Sequence, residues 1–410
     1  CQVPTSTAVE RALRTMGVQY VNYHLRTALG IKDRPANEIA PKMLDLCARL
    51  GVDYSIATHQ LDPPDDSVRE AVRASEAADR RGRFRGVIFD ELAHIRLLNY
   101  GRPLALADYA GFKTLEQAWA ETLAGYERLR AKFEYLGSPV VATHVFPILL
   151  HTAARAGFTV CPEICKELYS PVSLAIGLGA AWQYGRDLWA DVDLWYFAMV
   201  PGHSPDEFRC NLLLAYWLGV DLTYVEGAGH NLRPAGDQGI PFSLVTVTDA
   251  ETFQLTPHGE VLRWFAKDYV PRNPRPYTFR EVRPTIAIIR FEDTDYGIRS
   301  TLGFTPGLYG TENLRTNADT EAWLGLWNLL TSGATGSDGL SFFKARVGMT
   351  AHQRNPDPGE LSTYLTRPNQ AEAHSFFVPL NNVVVLDHLA AYDHLADIPL
   401  IFLTGVTISE

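Results

Sequence analysis

SPDEFRCNLLLAYWLGVDLTYVEG, residues 204–227, carries the reading of the fold in one stretch. Ser204 with Glu207 three residues on forms a capping box, and Pro205 sits at the first helical position, so a helix opens there. It runs through Trp217 and stops at Gly219, and the apolar strand VDLTYVEG follows at once. A helix that feeds directly into a buried strand is half of a crossover between parallel strands.

The pattern recurs through the first 270 residues. Thr7 to Glu10 is another capping box, opening a helix that ends near Gly17 before a strand over Val18 to His24. Ala36 to Leu50 reads as a helix stopped by Gly51, ahead of VDYSIATHQ. FRGVIFDE follows as a strand ending in two acids, Asp90 and Glu91. Thr114 caps a helix whose Leu115, Trp119, Leu123 and Tyr126 recur at helical spacing, and Gly137 ends it before PVVATHVFP. Gly157 precedes FTVCPE, and VDLWYFAMV, residues 192–200, reads as the next strand. Seven or eight such units predict an α/β fold with a closed (β/α)8 TIM-type barrel over residues 1–270. No glycine-rich dinucleotide or phosphate loop follows any strand.

Pro271, Pro274, Pro276 and Pro284 mark residues 271–284 as a linker. TIAIIRFE then starts a second α/β unit over 285–410. A Gly/Thr-rich loop lies near Thr331 to Gly339, and NNVVVLDHLAAYDHLADIPLIFLTG supplies a strand, a helix and a strand. This predicts the opening of a flavodoxin- or amidotransferase-like domain, incomplete here. It contains no Cys, which removes a cysteine-dependent amidotransferase reaction.

A chain of 410 residues exceeds what one core usually serves, in keeping with two domains. Its net charge of −10 argues against nucleic acid as a partner. No apolar run is long enough for a transmembrane segment. A carbohydrate substrate fits better, since 8 Trp, 18 Tyr and 19 Phe offer flat rings for sugar faces, although most rings serve cores. Cys1, Cys47, Cys161, Cys165 and Cys210 are an odd set with no disulfide framework. Cys161 and Cys165 lack a second pair to complete a zinc site, so buried thiols are expected. The start at Cys1 is compatible with a processed chain that is secreted, periplasmic or lipoprotein-anchored and equally with a fragment, and a homo-oligomer is compatible with the composition.

In such barrels the active site collects at the C-terminal strand ends. Those ends offer His24, His59, Asp90 with Glu91, His144, Glu163, His203 and Glu226. Cleaving a glycosidic bond needs two carboxyl groups, one protonated and one ionised. Glu91, Glu226 and Glu163 are the catalytic candidates. Adjacent strand residues point to opposite faces, so only one of Asp90 and Glu91 faces the mouth while the strand continues. Asp90, His24, His59, His144, His203, Tyr224 and Trp195 are candidate substrate contacts. Asp193 is read at the start of its strand, on the barrel's far side, as structural.

The segments PDEFRCNLLLAYWLGVDLTYVEG, LTPHGEVLRWFAKDYV and PTIAIIRFEDTDYG, within residues 205–297, resemble the end of clan-A glycoside hydrolase barrels. They are most similar to the two-domain β-galactosidases, in which an amidotransferase-like domain follows the barrel. The resemblance implies that an acid/base Glu ends the fourth strand, matching Glu91, with Asp90 where that family carries Asn. It also implies a nucleophile at the end of the seventh strand. VDLWYFAMVPG has no acid at its end, whereas counting strands forward makes Glu226 end the seventh, so Glu226 and Glu163 both stay open for that role. The expected function is hydrolysis of glycosidic bonds by two carboxyl groups without a cofactor or metal. The alternatives are a metal-dependent barrel hydrolase using His24, His59 and His144, and a non-catalytic carbohydrate-binding barrel.

Overall fold

The computed structural model describes residues 7–24, 45–58, 72–77, 82–90, 111–144, 149–165, 170–194, 203–226, 244–247, 249, 251–291, 294, 296–297, 313–330 and 382–405. Seven strands form one parallel sheet in sequence order. They are β1 (Tyr20–His24), β2 (Asp53–Thr58), β3 (Phe84–Phe89), β4 (Val140–His144), β5 (Thr159–Ile164), β6 (Trp189–Val192) and β7 (Leu222–Tyr224). Every neighbouring pair runs parallel.

The sheet curls back on itself. Tyr20 of β1 meets Trp189 of β6 and Tyr224 of β7, with ring centroids 6.0 and 6.1 Å apart. The result is a nearly closed barrel of seven described strands rather than the eight expected. Outside it, α6 (Pro257–Trp264) packs beside α1 (Thr7–Met16), and Arg11 donates to the carbonyl of Glu251 at 3.1 Å, so the last part of the barrel chain returns to the first.

The local causes are those expected from composition. Helix α2 (Leu115–Ala131) opens with the Thr114 side chain accepting from Gln117 N at 3.2 Å. Helix α5 (Pro205–Leu218) opens with Ser204 accepting from Glu207 N at 3.1 Å and ends at Gly219, whose φ of 98° only glycine adopts readily.

Strand β6 departs from expectation. It covers 189–192, not 192–200, because α4 (Ser170–Gln183) ends near Gly185 and the chain enters the sheet directly. Helix α4 is apolar almost all round, as a helix covered on two sides must be.

Its second cover comes after the short antiparallel pair β8 (Val245–Val247) and β9 (Phe253–Leu255) in the chain. It is a three-stranded parallel sheet of order β11-β10-β12, made of β10 (Ile286–Arg290), β11 (Val383–Asp387) and β12 (Leu400–Leu403). Two glycines fit α4 into the gap. A Cβ at Gly177 would lie 2.9 Å from Pro162 of β5, and one at Gly179 would lie 1.6 Å from the carbonyl oxygen of Val385 in β11. Asp387 fastens the contact, accepting from Gln183 Nε2 and Tyr184 Oη at 2.5 Å each. His151 of α3 (Leu150–Arg155) donates from Nε2 to Val385 O at 3.0 Å.

Between β11 and β12 the expected helix is a single 3-10 turn, Tyr392–His394. Only a dozen residues join these strands, and Pro399 among them cannot extend a helix into β12. Residues 273–284 are packed on the barrel: Arg275 donates to Val220 O at 3.0 Å and Phe279 N to Gly219 O at 2.8 Å. The Gly/Thr-rich stretch 331–339 lies outside the described residues.

Candidate active site at the barrel mouth

Side-chain alternation builds the site. Ala57, Ile88, Val141, Cys161, Trp189 and Tyr224 point into the barrel and form a compact apolar layer. Two residues further along a strand, a side chain returns to the same face. Ile88 is thus followed inward by Asp90, Val141 by Thr143, Cys161 by Glu163, Trp189 by Asp191 and Tyr224 by Glu226. One step toward the C-terminal end, the filling changes from apolar to almost wholly acidic.

The acids meet. Carboxylate oxygens of Asp90, Glu163, Asp191 and Glu226 all lie within 4.8 Å of one another. Glu163 and Asp191 are opposite each other in the β5–β6 ladder, which forces their side chains together. The backbone N–H of Glu226 donates to Asp191 Oδ1 at 3.2 Å. Asp90, Glu163 and Asp191 are buried, and Glu226 is partly exposed. Below them Tyr224 Oη lies 3.1 Å from Thr143 Oγ1, so Tyr224 belongs to the barrel filling under the acids.

Two unit charges about 4 Å apart repel by about 4 kcal/mol at an effective dielectric near 20. Four such groups cannot all stay ionised without a proton or a cation among them. Burial, and then the charges of Glu226, Glu163, Asp193 and Asp90, push Asp191 well above the ordinary carboxylate range. The donor set is all oxygen, the chemistry that suits hard divalent cations. The cluster can therefore hold and pass a proton, or hold a cation.

Several expected site residues lie elsewhere. His144 ends β4 but faces the helices. Its Nε2 lies 3.1 Å from Tyr126 Oη of α2, and burial lowers it to about 3, so it is neutral. Thr143 takes the inward position instead, which removes His144 from the mouth and takes apart the three-histidine metal set. His203 is buried beside α5, with Nδ1 3.2 Å from Glu207 Oε2 and its carbonyl accepting from His258 Nε2 at 2.7 Å. It is not a member of the acid cluster. His24 closes β1 opposite Ala57, and its side chain, with Glu91, His59 and Trp195, lies outside the described residues.

Two acids escaped the sequence reading. Asp193 follows β6 rather than starting it, so it is buried at the mouth end with Asp191, not on the far side. Gly185 was the available signal: the helix–glycine–strand rule applied there starts the strand near Leu188 and points Asp191 inward. Cys47, Cys161 and Cys165 are buried free thiols, and Cys210 is an exposed one.

The fold and the cluster define a TIM-like α/β barrel with a carboxylate mouth. No family model and no curated protein matches the chain. Among solved structures it is similar to a D-psicose 3-epimerase with D-tagatose from Clostridium cellulolyticum H10. The identity is 10% over 64% of this chain and 91% of that one, with a TM-score of 0.31. A likeness that distant carries no argument about chemistry, and the architecture rests on the strand ladders themselves. No described helix is long and apolar enough to cross a membrane.

Proposed function

We propose that the chain is a glycoside hydrolase whose working carboxyl groups come from the cluster Asp90, Glu163, Asp191 and Glu226. The observation that carries this reading is the approach of all four to within 4.8 Å at the C-terminal strand ends. Hydrolysis with retention uses carboxyl groups about 5–5.5 Å apart, and inversion about 6.5–9.5 Å, so the short spacing favours retention. Glu226 is the partly exposed member and takes the role of nucleophile. A buried neighbour donates the proton to the leaving oxygen, then withdraws one from the water that releases the glycosyl-enzyme. Glu91 keeps its place as an alternative acid on the strength of the family resemblance. The same reading keeps residues 285–410 as a second domain of the flavodoxin or amidotransferase type, and keeps a secreted or lipid-anchored location.

A panel of chromogenic glycosides, assayed in EDTA with wild type, Glu226→Gln, Glu163→Gln, Asp90→Asn and Glu91→Gln, tests the proposal. Loss of about 10²–10⁴-fold in rate for Glu226→Gln and for at least one other variant is expected. Turnover equal to wild type in all four variants removes the reading. Glycan binding with no turnover by any of the proteins supports a binding barrel instead.

A further inference from the structure

Acids gathered at one place do not by themselves point to an ion, but the carboxyl of Asp191 adds a second observation. It has no exposed surface, and its Oδ1 is taken by the Glu226 N–H. Its Oδ2 is buried, meets no hydrogen-bond donor, and belongs to a side chain aimed into the cluster. A buried polar atom in that state lacks the partner that burial ordinarily requires, and a charged one needs it most. The neighbours that act on it most are four other carboxyl groups, Glu226, Glu163, Asp193 and Asp90. What is missing at Oδ2 is positive.

We infer that Asp90, Glu163, Asp191 and Glu226 form a binding site for one hard divalent cation of calcium size. The class follows from the donors, which are all carboxylate oxygens rather than the thiolates and imidazoles that select zinc or copper. The size follows from the span. Opposite oxygens around magnesium, with bonds of about 2.0–2.1 Å, are at most about 4.2 Å apart, whereas bonds of about 2.3–2.6 Å around calcium allow about 4.6–5.2 Å. Oxygens that lie within 4.8 Å of one another fit inside the second sphere without the strands closing in. Glu163 and Asp191 stand opposite each other on the adjacent strands β5 and β6, a rigid pair that resists shrinking onto a smaller ion. The inference rests on the same cluster as the hydrolase reading and adds a regulation to it. A bound cation engages Glu226, so it opposes glycoside turnover.

Titration calorimetry and thermal unfolding of the full chain test this without using activity. After EDTA treatment and its removal, wild type is expected to bind one calcium per chain, about tenfold or more tighter than magnesium, and to melt higher in calcium chloride. Asp191→Asn is expected to weaken calcium binding about tenfold or more and to remove the calcium-induced rise in melting temperature. It should also melt above metal-free wild type, because one of the crowded charges has gone. Glu163→Gln serves as the second variant if Asp191→Asn does not fold. No calcium binding by wild type at millimolar concentration, calcium binding unaltered in both variants, or magnesium bound more tightly than calcium would each overturn the assignment. A cation that binds while no glycoside is cleaved upholds the site and rejects the hydrolase. Cleavage without cation binding does the reverse.

Discussion

The two ends of the barrel use the same residue types in opposite ways. At the N-terminal ends of the strands, acids meet arginines: Asp53 with Arg85 at 2.6 Å, and Asp187 and Asp221 with Arg280 at 2.5 and 2.8 Å. At the C-terminal ends, Asp90, Glu163, Asp191 and Glu226 meet one another, and three of them are buried. The pairs at the floor are largely open to solvent, where such bridges are worth about 0–1 kcal/mol and each partner tolerates replacement. The mouth is different. Like charges held together out of water oppose folding, and an arrangement that costs stability in one place is explained by the chemistry it supports.

That contrast can be broken by mutation. The largest effect is expected at the mouth: Glu226→Gln lowers kcat on any hydrolysed glycoside by about 10²–10⁴-fold, while Arg280→Ala at the floor leaves it unchanged. Initial rates of both variants in EDTA decide the point, and equal losses at the two ends would erase the distinction. Next comes a site remote from both ends. Gly179→Ala places a Cβ 1.6 Å from Val385 O and is expected to cost about 2–3 kcal/mol in urea unfolding, with kcat of the folded fraction preserved.

A pH series adds a third comparison. Burial lowers His144 to about 3, and burial is also the main cause that lowers His151 to about 4, so both are neutral in the fold. In the unfolded chain they take protons near pH 6.5. Their folded values lie below the unfolded ones, so the unfolded chain binds more protons as pH falls. Stability is then full above about pH 6.5 and is lost progressively from there down to about pH 4 for His151 and about pH 3 for His144. Melting temperature against pH should fall less steeply for His144→Gln than for wild type, and parallel curves would contradict a neutral His144. The smallest effect belongs to the floor. Arg280→Ala is expected to lower stability by at most about 1 kcal/mol at low salt and by less in 1 M sodium chloride.

The barrel was legible in the sequence because its signals are local. Capping residues, helix-ending glycines and short apolar strands recur, and the structure places β1 to β5 and β7 within a few residues of their expected positions. Strand β6 was not, since the apolar run after Asp193 outweighed the shorter LWADV before it, and this displaced Asp191 and Asp193 from the expected site. Choosing between Asp90 and Glu91 also needed an anchor that sequence lacks. Alternation permits either, and only the packing of Phe89 against Phe133 and Phe158 on the outside turns Asp90 inward. The outward turn of His144 toward Tyr126 has the same origin. Strand count stayed ambiguous because closure is a long-range property, visible here only in Tyr20 reaching Trp189 and Tyr224.

Helix α4 has a consequence for how the molecule comes apart. One side lies on β5 through Gly177 and the other on β11 through Gly179, so it has no face of its own left for water. Stripping away the small sheet would leave a bare oily surface on the barrel, and loosening the barrel would deprive the small sheet of its only described floor. The two sheets should therefore melt as a single calorimetric transition, and a protease should find no folded half to leave behind.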